Sequence, residues 1–160
     1  HCAGHRTGEP TRFPEPRKKR VVPQRRGVAA VLERDGAALN LVGVEDWESA
    51  RFHPQRSPNL DRALSGCDTA LTTVLLAHQP KAVREAAQRG VDLQLSGHTH
   101  GGQIAPFTWL VALDQPYRSG LYHVRDTALY VSEGTGYWGP PIRLGTRSEL
   151  TLLTLTRSAS

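Results

Sequence analysis

Apolar residues in this chain fall into short blocks separated by turn formers, and the spacing of the blocks predicts an alternation of strands and short helices. Residues 28–33 (VAAVLE) and 38–44 (ALNLVGV) read as two strands. Between them lies Asp35-Gly36, a pair that tolerates the left-handed conformation needed by a tight hairpin turn. Ser57-Pro58 followed by Asn59 opens a short helix ending near Gly66. The run 72–77 (TTVLLA) is β-branched and apolar throughout, as expected of a buried strand. Residues 81–89 (KAVREAAQR) have helical composition, and Gly90 supplies a stop. A further strand is predicted over 91–96 (VDLQLS), and the glycines of 97–102 (GHTHGG) make that stretch a loop. Strands at 121–125 and 128–132 follow, joined at Asp126-Thr127, then a Gly/Pro-rich loop over 133–147 and a last strand, 149–155 (ELTLLTL). Strand, helix, strand in the middle, with strand pairs at both ends, predicts an α/β arrangement of sheets flanked by helices.

Composition changes this picture mainly at the N-terminus. The 160 residues carry a formal net charge of +5, and Arg17, Lys18, Lys19, Arg20, Arg25 and Arg26 concentrate positive charge in one stretch with no acidic residue. Residues 1–26, rich in Pro, Arg, Gly and Lys, read as a basic arm without packed structure, and the folded domain is expected over 27–157. The stretch 17–26 (RKKRVVPQRR) has the charge to meet nucleic acid or an anionic membrane surface, but no aromatic residue interleaves its charges to stack on bases, so a solvated linker is the favoured reading. Cys2 and Cys67 fit no zinc spacing and are assigned neither a metal nor a disulfide. No apolar run approaches the length of a membrane span. The chain has no methionine and starts at His1, which reads as a fragment, a processed product or a partial gene product.

The candidate chemistry lies in histidines that follow predicted strands. His78 comes directly after 72–77, and His98 and His100 come directly after 91–96. Ligands of α/β proteins commonly bind at the carboxyl ends of strands. In an extended backbone residues i and i+2 point the same way, so both imidazoles of the His98–His100 pair are expected to face one cavity. Gly97, Gly101 and Gly102 let the backbone turn closely around a ligand. Neutral imidazole is a common ligand for divalent transition metals, which makes His78, His98 and His100 the candidate metal-ligating residues. Arg143, in the Gly/Pro loop, either contacts a substrate phosphate or braces the loop. Asp46 either supports a metal ligand or only shapes its turn.

Leu76-Ala77-His78-Gln79-Pro80 and Leu95-Ser96-Gly97-His98-Thr99-His100-Gly101-Gly102-Gln103 resemble the last two metal-binding blocks of calcineurin-like metallophosphoesterases. Gly43-Val44-Glu45-Asp46 and the stretch from Gly136 to Gly145 (GYWGPPIRLG) resemble the branch of transmembrane proteins with a metallophosphoesterase domain and their bacterial relatives. The resemblance runs from about residue 27 to the end. It implies a double β-sandwich flanked by helices, of which this chain supplies the C-terminal half. It also implies a two-metal site of Mn, Fe or Zn, with His78 and His98 on one ion and His100 on the other. The implied reaction is attack of a metal-activated water on the phosphorus of a phosphoester, either a small molecule or a phospholipid headgroup. Membrane association of the full-length protein is implied as well, through a segment absent here.

The resemblance is incomplete. The family also uses an Asp-x-His block, a Gly-Asp-x-x-Asp block and a Gly-Asn-His block, and the sequence contains none of them. Two cations held close together without a bridging anion repel strongly. No residue is therefore assigned as catalytic within this chain. The alternative to a metal-dependent phosphoester hydrolase is a truncated, catalytically incomplete form that acts as a metal-binding or interaction module.

Overall fold

The computed structural model describes residues 18–24, 27–49, 58–102, 116–137 and 142–156. The strands are β1 (Lys18–Gln24), β2 (Gly27–Arg34), β3 (Ala37–Gly43), β4 (Thr73–Leu76), β5 (Leu93–Ser96), β6 (Gly120–Val124) and β7 (Thr127–Val131). They form one mixed sheet in the order β1-β2-β3-β4-β5-β7-β6. The helices are α1 (Leu60–Leu64) and α2 (Val83–Gln88), the latter entered through a single 3₁₀ turn at Pro80–Ala82. The expected mixed α/β architecture is therefore present, as one sheet among the described residues.

Local chemistry explains most element ends. Asp35 and Gly36 both adopt positive φ, the requirement of the hairpin turn that joins β2 to β3. The β6–β7 turn is centred on Arg125-Asp126, one residue earlier than expected, with Arg125 at φ 55. Asn59 caps α1, its side chain accepting from the Arg62 amide at 2.8 Å. Replacing Asn59 with Ala is expected to cost about 1 kcal/mol, read from the urea midpoint. At the other end of α2, Gly90 takes φ +70 and the Val91 amide closes back onto the Ala86 carbonyl at 3.3 Å. That closure satisfies a carbonyl the helix leaves unpaired.

Two expectations change at the sheet's margins. Lys18–Gln24, placed by composition in an unstructured arm, pairs antiparallel with β2 along its whole length. An unpaired edge of β2 would leave a row of unsatisfied backbone groups, and the neighbouring segment meets that need despite its charge. Pro23 is tolerated because β1 is an edge strand. The rest of the expected arm lies outside the described residues. At the C-terminus, 149–155 has a strand's alternation but forms no strand. Leu150 and Leu152 are 94% and 91% exposed. A strand exists only through ladder bonds, and this segment makes no backbone ladder with a strand among the described residues.

One face of the sheet carries the core. Strand register places Ala29, Val42, Leu75, Gln94 and Leu129 in one row across five strands. All five side chains are buried. Leu60 and Ala63 of α1 and Ala82 and Ala86 at α2 share one buried cluster with Ala29, Val42 and Leu75, and Val83 packs with Leu129 and Val131. Both helices thus cover the same face. On the opposite face Leu76 is 42% and Leu121 62% exposed.

Candidate metal centre

β3, β4, β5 and β7 are parallel neighbours, so their carboxyl ends open side by side. Asp46 follows β3, His78 follows β4, His98 and His100 follow β5, and Glu133 follows β7. Two strand ends thus deliver every candidate histidine to one rim of the sheet, and the two flanking ends bring Asp46 and Glu133 to the same rim.

The position of His78 is set by polar groups from β5. Gln94, fully buried, donates to Ser96 Oγ at 2.9 Å and to the carbonyls of Gln79 and Pro80 at 3.3 and 3.4 Å. Ser96 donates to the Ala77 carbonyl at 2.7 Å. The backbone on both sides of His78 is therefore stitched to the strand that carries His98. Gln79, also buried, donates to Asp46 Oδ1 at 2.8 Å, and the Glu48 amide donates to the same oxygen at 3.1 Å. With Oδ1 engaged, Asp46 Oδ2 lies 4.0 Å from His78 Nε2.

His78 and His98 meet. His78 Nε2 stands 3.1 Å from His98 Nδ1, and the rings are nearly perpendicular with centroids 4.9 Å apart. Two nitrogens bound to one zinc-like ion at about 2.1 Å, with a bond angle between about 90° and 109°, lie about 3.0–3.4 Å apart. The observed spacing lies in that range and is equally that of an N–H···N hydrogen bond between the two rings. Among the described residues no group of three or more His, Cys, Asp or Glu side chains converges as a complete metal cage.

His100 is held differently. The loop after β5 is not extended: His98 and His100 adopt φ of 71 and 47, and a 3₁₀ turn begins at His100. The i, i+2 rule for an extended chain therefore does not hold here, and the His98–His100 spacing alone does not make these two rings converge. Thr99, between them, donates to the Arg118 carbonyl at 2.5 Å. The His100 ring instead faces Arg143, whose guanidinium approaches Nδ1 at 3.5 Å. Gly101 has φ +64, which strains any other residue, and a Cβ there would stand 2.8 Å from the Glu133 carboxyl carbon, so a side chain would displace that carboxylate.

Burial pushes the pKa of His98 below the usual value of 6.5, and repulsion from His78 adds to it, against opposing pulls from Glu48 and Asp46. Burial also lowers His100, reinforced by the Arg143 charge. Both rings are thus biased toward the neutral form that ligates metal. Above pH 6.5 both the folded and the unfolded states carry neutral rings. As pH falls below 6.5 the unfolded chain takes up the protons first, so stability is lost as pH drops through the lowered folded values. Ring-proton NMR of the metal-free chain is expected to show both residues titrating below 6.5, with a matching fall of the urea midpoint over the same window.

Sequence comparison finds named relatives. A Helicobacter pylori protein named an uncharacterized metallophosphoesterase is 49% identical over 119 residues, 73% of this chain and 32% of its own length. A Danio rerio protein named transmembrane protein with metallophosphoesterase domain is 42% identical over 130 residues, 79% of this chain and 30% of its own. The chain belongs to the metallophosphoesterase family. A Bacillus subtilis metallophosphoesterase is 32% identical over 135 residues, covering 82% of this chain and 45% of that protein. The chain thus spans about a third of the length of the first two metallophosphoesterases. No family model matches the chain, and no solved structure matches it significantly. Although the zebrafish relative is named a transmembrane protein, no helix among the described residues is long and apolar enough to cross a membrane.

Residue-type reasoning singled out the three histidines and Asp46 but passed over Gln79, Gln94, Ser96 and Glu133, which the structure places around them. A signal for Gln94 was present: a polar residue in the middle of an otherwise apolar strand, on the face that the register shows to be buried.

Proposed function

We propose that this chain carries the histidine half of a two-metal phosphoester hydrolase site. His78 Nε2 and His98 Nδ1 are the donors to one divalent cation, of the manganese, iron or zinc type, and His100 is a donor to a second. The observation that carries this reading is the 3.1 Å approach of the His78 and His98 nitrogens at adjacent parallel strand ends. When bound, such cations supply an acidified water and offset charge on phosphoryl oxygens.

The chain's own residues do the holding and orienting. Gln94 and Ser96 fix the His78 backbone, and Gln79 turns the Asp46 carboxylate so that Oδ2 faces the histidine pair. That negative charge beside two imidazoles favours a bound cation. The substrate class is a phosphoester, on a small molecule or a phospholipid headgroup. The Asp-x-His, Gly-Asp-x-x-Asp and Gly-Asn-His blocks are not in this sequence, and the hydrolysis proposed is that of a protein that supplies them.

The test is binding of inorganic phosphate to the chain with and without Mn²⁺ or Zn²⁺. Saturable cation binding, followed by phosphate binding only to the cation-loaded chain, is the expected result. A chain that takes up no cation, or that binds phosphate equally well without one, contradicts the reading.

A further inference from the structure

Arg143 sits where an anion-binding arginine would be useful, yet its donors point elsewhere. Nε donates to the Gly136 carbonyl at 3.1 Å. One terminal nitrogen donates to the carbonyls of Arg147 at 2.9 Å and His100 at 3.5 Å. The other donates to the carbonyls of Glu133 at 2.9 Å, Gly134 at 3.0 Å and Gly136. A guanidinium has five N–H groups, and here its contacts go to main-chain oxygens of three segments, the turn after β5, the loop after β7 and Arg147, and to the His100 ring at Nδ1, 3.5 Å away.

A second contact joins the same two loops. The Glu133 carboxylate lies against Gly101 and also accepts from the Arg147 amide at 3.1 Å. His100, in left-handed backbone, is thereby gripped through its own carbonyl and through the residue that follows it. A non-glycine residue in that conformation persists only where its surroundings hold it there.

We propose that Arg143 is a positioning residue, a clamp that fixes the His100 turn against the 133–136 loop and so sets where the His100 imidazole stands. This rests on the reading of His100 as a metal donor. Planarity and five donors are the requirement, so lysine, with one compact ammonium group, cannot span the same carbonyls.

The experiment compares the parent chain with Arg143→Ala and Arg143→Lys by nitrogen NMR of the histidine rings, first metal-free and then during titration with Zn²⁺. In the metal-free chain both substitutions are expected to shift the His100 ring signals. During titration both weaken the Zn²⁺ response seen at His100 by about 10–100-fold, the usual effect of losing a residue that orients a ligand. The response at His78 and His98 stays as in the parent. Unchanged His100 signals in both variants would overturn the clamp, and so would full rescue by lysine. Unchanged Zn²⁺ binding at His100, with loss only of inorganic phosphate binding to the loaded chain, would overturn it in favour of an anion contact. If His100 of the parent never responds to Zn²⁺, the metal reading of that residue fails, and the metal-free comparison alone decides the clamp.

Discussion

Replacing His98 with alanine is expected to lower the affinity of the chain for Mn²⁺ or Zn²⁺ by more than about 100-fold, beyond the usual 10–100-fold effect of removing a supporting residue. The ground is geometric. His98 Nδ1 is one of two nitrogens 3.1 Å apart, and a lone imidazole left on His78 gives a cation one protein donor where it had two. His78→Ala should have the same effect, and the double variant should lose little more, since either single change already dismantles the pair. His123, exposed on edge strand β6, is the control, and His123→Ala should leave the affinity unchanged. Isothermal titration calorimetry reads all four. Equal, small losses for His98→Ala and His123→Ala would mean that cations bind this chain through scattered surface imidazoles.

The second large effect concerns the sheet that holds the strand ends in place. Leu75 is fully buried on β4, between Val42 and Gln94 in the row that both helices cover. Leu75→Ala removes its methyl groups from a site flanked by backbone on both sides, where collapse is restricted. A loss of about 2–5 kcal/mol is expected, as for other fully buried leucines. For a single domain of this size that is a large part of the total stability. Because β4 also carries His78, calorimetric cation binding should weaken in parallel with unfolding in the urea series. By contrast Leu150→Ala, at a 94% exposed position, should move the urea midpoint by far less.

The parts of the fold visible in the sequence were those governed by local chemistry. The β2–β3 hairpin was visible because Asp35-Gly36 tolerates positive φ, and β4 and β5 because each is a short apolar run ending at a polar turn. Less visible were features decided by distant neighbours. Charge density argued against a strand at Lys18–Gln24, but the open edge of β2 recruits it. Alternation argued for a strand at 149–155, but alternation gives a face and not a partner. Instead, Glu149 of this segment accepts from the Tyr130 hydroxyl and from the Glu133 amide, tying the segment to the end of β7.

The site divides in the same way. Histidines after two apolar strands could be placed at neighbouring strand ends from sequence, because a strand–helix–strand unit makes its two strands parallel. The relation between His98 and His100 could not, since the i, i+2 rule assumes extended backbone and both residues are left-handed. Nor could the carbonyl clamp at Arg143, which draws on segments up to 43 residues away in the chain.

The most direct test of the central claim is nitrogen NMR of the histidine rings of the intact chain, titrated with Zn²⁺. His78 Nε2 and His98 Nδ1 are expected to move together to metal-bound shifts over the first equivalent, while His123 stays unchanged. If His78 and His98 respond at different zinc concentrations, or no more than His123 does, the two rings do not share a cation and the account is wrong at its centre.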